Sequence, residues 1–193
     1  MTGRRIRVAA AGQMGVVLPA VALAAMLILI FLRQPRTLSY FGLSLLLGFA
    51  LPLSFASLAQ LCVIVLGDVD LGIGPFISLV NCIAATLLND SPLLGAGALA
   101  LCVLAYAGMG ALVHLRQLPS IVVTLGASFI WLGLALLLLP SPGGTAPAWL
   151  SAVTGWQPPL VPLPVLVLVV LGATGEAWLM RGAYGAVLRA MGG

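Results

Sequence analysis

Six long apolar runs, separated by short polar or glycine- and proline-containing segments, organise this chain of 193 residues. Each run has about 20 residues or more, which is the length that an α-helix needs to cross a bilayer. The runs are residues 13–32, 41–66, 71–89, 93–113, 119–139 and 161–180. The pattern predicts an all-α fold, a polytopic membrane bundle of about six transmembrane helices.

Composition excludes a soluble domain. Apolar residues make up 62% of the chain, charged residues only 6%, and the mean hydropathy is +1.23. Soluble domains carry about 25% charged residues. A chain with so few charges could not cover a water-facing surface, so the lipid bilayer is its predicted solvent.

The basic residues indicate how the bundle is oriented. All eight are arginines, and they lie at the ends of the apolar runs rather than in one patch, so they are a topology signal and not a nucleic-acid surface. If the N-terminus is cytoplasmic, Arg33 and Arg36 face outward and the other six face the cytoplasm. The cytoplasmic arginines are then Arg4, Arg5, Arg7, Arg116, Arg181 and Arg189. This split predicts that both termini are cytoplasmic.

The most unusual stretch is residues 67–74, G-D-V-D-L-G-I-G, which places Asp68 and Asp70 among three glycines between two uncharged runs. A carboxylate costs about 2.5–3.5 kcal/mol on membrane insertion scales. Glycine weakens a helix by about 1 kcal/mol, so the octet predicts a helix break. The carboxylates could form an ion or proton relay, anchor the next helix by accepting backbone N–H groups, or lie in a cytoplasmic turn.

The sequence contains no pattern for catalysis or for a metal. It has no lysine and therefore no Walker A motif, and its single histidine excludes most hydrolytic and metal-binding constellations. The three cysteines are too widely spaced for a C-x-x-C motif. We therefore expect a protein that is not an enzyme, with no cofactor and no metal of its own.

Three short stretches match the motifs of one family. Residues 67–74 are similar to G-G-I-D-L-S-V-G, with Asp68 and Gly72 as departures. Residues 118–126, L-P-S-I-V-V-T-L-G, are similar to P-S-F-I-V-T-L-G, and residues 184–193, Y-G-A-V-L-R-A-M-G-G, are similar to F-G-R-x-x-x-A-x-G-G-N. Together they resemble the permease subunit of sugar-type ABC importers, the branch of the ribose, xylose and galactoside permeases.

The resemblance implies a multi-pass subunit of the bacterial inner membrane that translocates a sugar or a similar small polar solute. A periplasmic binding protein would deliver the solute, a second permease subunit would complete the pathway, and a cytoplasmic ABC ATPase would bind and hydrolyse the ATP. The helix break would be shaped by Gly67, Asp68, Asp70, Leu71 and Gly74. The pathway or the helix packing would involve Asn81, Thr124 and Gly126. The ATPase would be contacted by Tyr184, Gly185, Arg189 and Gly192.

Residues 1–193 are predicted to form one permease domain. Family members continue into further spans, so the resemblance implies an N-terminal portion that stops within the cytoplasmic coupling loop, at about residues 181–193. Three alternatives stay open at this point. They are a branched-chain amino-acid ABC permease, a proton-coupled carrier that uses Asp68 and Glu176, and an inactive permease fragment.

Overall fold

A computed structural model describes the backbone of residues 2–191. Side chains are described from residue 17 onward, except for those of residues 180, 183, 184, 189 and 191. The described chain is helical and contains no β-strand. The all-α fold class is therefore confirmed.

The helices follow one another with short connections. In chain order they are α1 (Thr2–Arg33), a 3-10 turn (Pro35–Leu38), α2 (Tyr40–Val65), α3 (Ile73–Ala85), α4 (Leu87–Asp90), α5 (Pro92–Arg116), α6 (Ser120–Leu138), α7 (Ala148–Thr154), α8 (Leu163–Glu176), a π-helical turn (Ala177–Arg181) and α9 (Ala183–Met191).

Four helical segments of the described chain are long and apolar enough to cross a membrane. They are Tyr40–Val65, Ile73–Asp90, Pro92–Arg116 and Ser120–Leu138. Two further apolar helical segments are Leu163–Leu179 and Val17–Arg33, and the second is the part of the 32-residue helix α1 whose side chains are described. All six predicted runs are thus helical, as expected of an integral membrane protein.

The structure differs from the sequence prediction in two regions, the third predicted span and the loop between the fifth and sixth spans. The predicted third span is divided at Thr86, whose φ of −119° and ψ of −86° separate α3 from the single turn of α4. The Thr86 hydroxyl donates to the Cys82 carbonyl at 2.6 Å, which supplies a hydrogen bond at this break. The predicted loop between the fifth and sixth spans contains the short helix α7, with Trp149 exposed on it.

The core of the bundle lies where α3 packs against α5 and α6. Its buried side chains come from these three helices. They are Leu79, Ile83, Cys102, Ala127, Trp131 and Ala135. α2 lies beside this group, packs mainly against α8, and has no fully buried side chain.

Most large apolar side chains are exposed on the outside of the described chain. Leu93 is 85% exposed on α5 and Phe49 is 80% exposed on α2. Apolar exposure of this extent is rare on monomeric soluble proteins. It fits helices that are surrounded by lipid or by other helices.

Candidate functional site

The polar break occupies residues 66–72, between the end of α2 and the start of α3. Gly67 has a φ of +83°, which glycine adopts without the steric cost that a Cβ would bring. The Gly67 N–H donates to the Ile64 carbonyl at 2.9 Å and closes the last turn of α2. The chain then crosses to α3 as a short segment, hereafter the polar break.

Asp70 is the buried centre of the polar break, with an exposed fraction of only 7%. Its Oδ1 accepts the Gly72 N–H at 2.7 Å, immediately before the first residue of α3. Its Oδ2 accepts a hydrogen bond from the Tyr106 hydroxyl on α5. The carboxyl group therefore joins the start of α3 to the side of α5, which is the geometry of a structural anchor.

The backbone of Asp70 is held from a third helix. With the Gln60 amide oriented so that its nitrogen faces the Asp70 carbonyl, that nitrogen donates at 3.1 Å and the amide oxygen accepts the Asp70 N–H at 3.2 Å. Gln60 lies on α2, five residues before the helix ends. A paired backbone N–H and C=O is what a break inside a bilayer requires, because lipid offers no hydrogen bonds.

The position of Tyr106 places Asp70 inside the bundle rather than at its rim. Tyr106 lies ten residues before the end of α5 at Arg116, which is about 15 Å along the helix axis. A side chain bonded to Tyr106 therefore lies well within the length of α5. The Asp70 side chain is thus turned inward between the helices, whereas residues 66–69 and 71 of the polar break are exposed.

Two further contacts attach the polar break to α6. The Ser120 hydroxyl donates to Asp68 Oδ1 at 2.8 Å, and the Leu71 N–H donates to Thr124 Oγ1 at 3.1 Å. Ser120 is the first residue of α6, so the Asp68 carboxylate lies at the positive end of that helix dipole. Unlike Asp70, the Asp68 side chain is exposed.

Aromatic rings pack beside the polar break. The Phe76 ring centroid lies 4.4 Å from that of Tyr106 and 5.7 Å from that of Trp131. Trp131 is buried, and its indole Nε1 has no hydrogen-bond partner among the described residues. A buried N–H without an acceptor is costly.

A cleft of about 790 Å³ opens beside the polar break. The end of α2, the polar break, the second half of α5 and the start of α6 form its walls. Its polar lining residues are Asp68, Asp70, Tyr106, His114, Gln117, Ser120 and Thr124. The volume falls within the roughly 300–1,000 Å³ of small-molecule sites.

The residues predicted for the helix break and pathway are only partly brought together. Thr124 bonds to the polar break, whereas Gly126 is exposed on α6 and Asn81 is exposed on α3. Neither Gly126 nor Asn81 lines the cleft. A side chain at Gly74 would meet no atom within 4 Å, so no close contact requires glycine there.

Sequence reasoning missed Tyr106, Gln60 and Trp131 as parts of the site. Each is a polar-tipped side chain in a long, predominantly apolar helix. Because a polar group inside a membrane is retained only when it finds a partner, its presence in such a helix is the signal that could have identified them.

The predicted ATPase contacts lie largely outside what the structure describes. Gly192 and the side chains of Tyr184 and Arg189 are outside the described residues. Gly185 is buried, and a Cβ there would overlap the Leu179 carbonyl oxygen. The start of α9 is therefore packed closely on the π-helical turn.

Glu176 lies apart from the aspartates. It forms an exposed ion pair with Arg181, at 3.2 Å between Oε1 and the guanidinium. It lines a separate cleft of about 530 Å³ between α2 and α8. The structure therefore does not bring Asp68 and Glu176 into one cavity. No group of three potential metal ligands occurs among the described residues.

The Trp131 Nε1, which has no hydrogen-bond partner among the described residues, leads to a prediction about the stability of Gly72 variants. A Cβ at Gly72 would lie 3.1 Å from the Thr124 carbonyl oxygen and 3.7 Å from Trp131 Nε1. Gly72→Ala should lower the free energy of unfolding by about 1–2 kcal/mol through crowding. Gly72→Ser should recover about 1 kcal/mol of that loss, because its hydroxyl can accept from Trp131.

The measurement is unfolding of the purified variants in mixed micelles. The control is the same pair of substitutions in a Trp131→Phe background, where serine and alanine should be equal. A serine no more stable than alanine in the native background would contradict the prediction.

Comparison with protein-family models, with curated proteins and with solved structures gives no significant match to this chain.

Proposed function

We propose that this chain is a membrane-spanning permease subunit of an ABC importer that carries a sugar or a similar small polar solute. A separate ATPase subunit would bind and hydrolyse the ATP. A substrate-binding protein would deliver the solute, and a second permease subunit would complete the pathway in a bacterial inner membrane.

The observation that supports this proposal most is a contact between two distant parts of the sequence. Residues 67–74 and residues 118–126 are the two internal stretches that resemble the importer permeases. They meet directly through the Asp68–Ser120 and Leu71–Thr124 hydrogen bonds. Two motifs that fold against each other beside a cleft with several polar lining residues act as one unit, which favours a shared role in moving a solute.

The proposal also requires a surface of this chain that would contact the ATPase. α9 follows the π-helical turn, and Val187 on α9 is 55% exposed. An exposed apolar side chain on this short helix offers contact area to a partner protein. α7 lies at the opposite end of α8 and carries a comparable residue, Val153, which is 61% exposed.

The test is co-purification of the chain, in lipid nanodiscs, with candidate ABC ATPase subunits from the same genome. We expect the native chain to retain one ATPase. Val187→Asp should reduce the retained amount about tenfold, which corresponds to about 1.4 kcal/mol of binding free energy. Val153→Asp is the matched control and should leave retention unchanged.

Failure of the native chain to retain any ABC ATPase would overturn the proposal. Equal losses for the two aspartate variants would also count against it, because the contact would then not involve α9. Solute uptake that needs a proton gradient and no ATPase would favour the proton-coupled carrier instead.

A further inference from the structure

The carboxyl groups that line the cleft beside the polar break are not balanced by arginine side chains. Two carboxyl side chains line it, those of Asp68 and Asp70, and no arginine of the described chain does. The other ionisable groups on its walls are the Tyr106 hydroxyl and the His114 imidazole. Counted by carboxylates and arginines, the lining carries formal negative charge.

The two carboxyl groups are not equally available to a solute. Asp70 is buried, and both of its oxygens already accept hydrogen bonds within the bundle. Asp68 is exposed, and among the described residues only Ser120 bonds to it, through Oδ1. An ionised carboxylate has room for about four hydrogen bonds. Asp68 accepts one such bond within the described chain and Asp70 accepts two, and only Asp68 is exposed to a solute.

His114 and Gln117 extend the polar wall at the turn between α5 and α6. Both side chains are exposed, and Gln117 Nε2 donates to the His114 carbonyl at 2.6 Å. Gln117 itself adopts a left-handed φ of 52° that ends α5. These groups face the same cleft as Asp68 and can donate to or accept from a small polar molecule.

We infer that this cleft is a water-filled solute site that selects for hydrogen-bond donors and against negative charge, with Asp68 as the residue that sets the selectivity. A neutral polyhydroxyl solute can donate its hydroxyl groups to Asp68, whereas a phosphorylated or carboxylated analogue meets like charge. Clefts lined by one sign of charge concentrate solutes of the opposite sign and repel those of the same sign. The inference rests on the proposed function and narrows its substrate class to uncharged or cationic solutes.

The experiment uses a cysteine placed inside the cleft and two thiol reagents of opposite charge. Gly110 is exposed and lines the cleft, and a Cβ added there would meet no atom within 4 Å. Gly108, two residues earlier on α5, is equally open but lies outside the cleft. The full chain carrying Gly110→Cys or Gly108→Cys is labelled in nanodiscs with a trimethylammonium or a sulfonate methanethiosulfonate. The native chain is labelled in the same way, and its reaction gives the background from its own cysteines.

Gly110→Cys should react with the cationic reagent about tenfold faster than with the anionic one, after normalisation to free cysteine. Asp68→Asn should bring this ratio to within about threefold of unity. Asp90→Asn, the same change at an exposed aspartate outside the cleft, should leave the ratio unchanged. Gly108→Cys should react with neither reagent above this background.

A second measurement tests whether a neutral solute occupies the cleft. Ribose, xylose, galactose or glycerol should slow labelling of Gly110→Cys, and ribose 5-phosphate should not. Equal rates for the two reagents, no effect of Asp68→Asn, or no protection by any neutral solute would each overturn the inference. Labelling needs no ATPase, so these outcomes are separate from the ATPase retention that tests the proposed function.

Discussion

Asp70→Ala is expected to lower the free energy of unfolding by about 2–4 kcal/mol. The substitution leaves the Gly72 N–H and the Tyr106 hydroxyl without their acceptor, and Asp70 is only 7% exposed. Gly72 is buried as well, so water has little access to its N–H once the carboxylate is removed. The start of α3 should loosen from α5, and the whole polar break should lose its fixed position.

The measurement is the unfolding midpoint and slope in mixed micelles of a mild detergent and a denaturing detergent. Asp90→Ala is the matched control, because Asp90 is an exposed aspartate at the end of α4. It should change the free energy of unfolding by less than about 0.5 kcal/mol. If the two variants are equally stable, Asp70 does not anchor the bundle.

Gly95→Ala should destabilise the protein by about 3 kcal/mol. A Cβ at Gly95 would overlap Leu88 Cα and lie 2.5 Å from Leu88 N, so the added methyl group would collide with the backbone of α4. Backbone atoms cannot rotate away as a flexible side chain can. The only relief is displacement of α4, which carries the buried Leu88 side chain.

Gly97→Ala provides the control on the same helix. A Cβ at Gly97 meets no atom within 4 Å, and alanine favours a helix over glycine by up to about 1 kcal/mol. Gly97→Ala should therefore be neutral or slightly stabilising in the same unfolding measurement. A Gly95→Ala variant as stable as Gly97→Ala would show that α4 does not pack on α5 as described.

The helices and the break could be predicted because their signals are local. Continuous apolar runs set the positions of the long helices, and the glycines and aspartates of residues 67–74 interrupt them. The structure places the interruption at residues 66–72. An Asp70 that accepts a backbone N–H at the start of α3 is one of three interpretations of the octet, and the sequence does not decide among them.

The rest could not be predicted because it depends on contacts between distant parts of the chain. Tyr106 is 36 residues from Asp70, and nothing in its own helix indicates which neighbour it bonds to. The third span is divided at Thr86 by a change of backbone conformation, and this change lies inside a continuously apolar run. The helix α7 could not be predicted from the sequence because the prolines and glycines before it indicate a loop. The importer function stays a prediction.

The most direct test of the anchored polar break is a double-mutant cycle between Asp70 and Tyr106. Asp70→Asn, Tyr106→Phe and the double variant are compared with the native chain by unfolding in mixed micelles. If the polar break is anchored inside the bundle, the effects should be non-additive, with a coupling free energy of about 1–2 kcal/mol. Additive effects within about 0.3 kcal/mol would mean that the two side chains do not interact, and that Asp70 does not anchor the polar break.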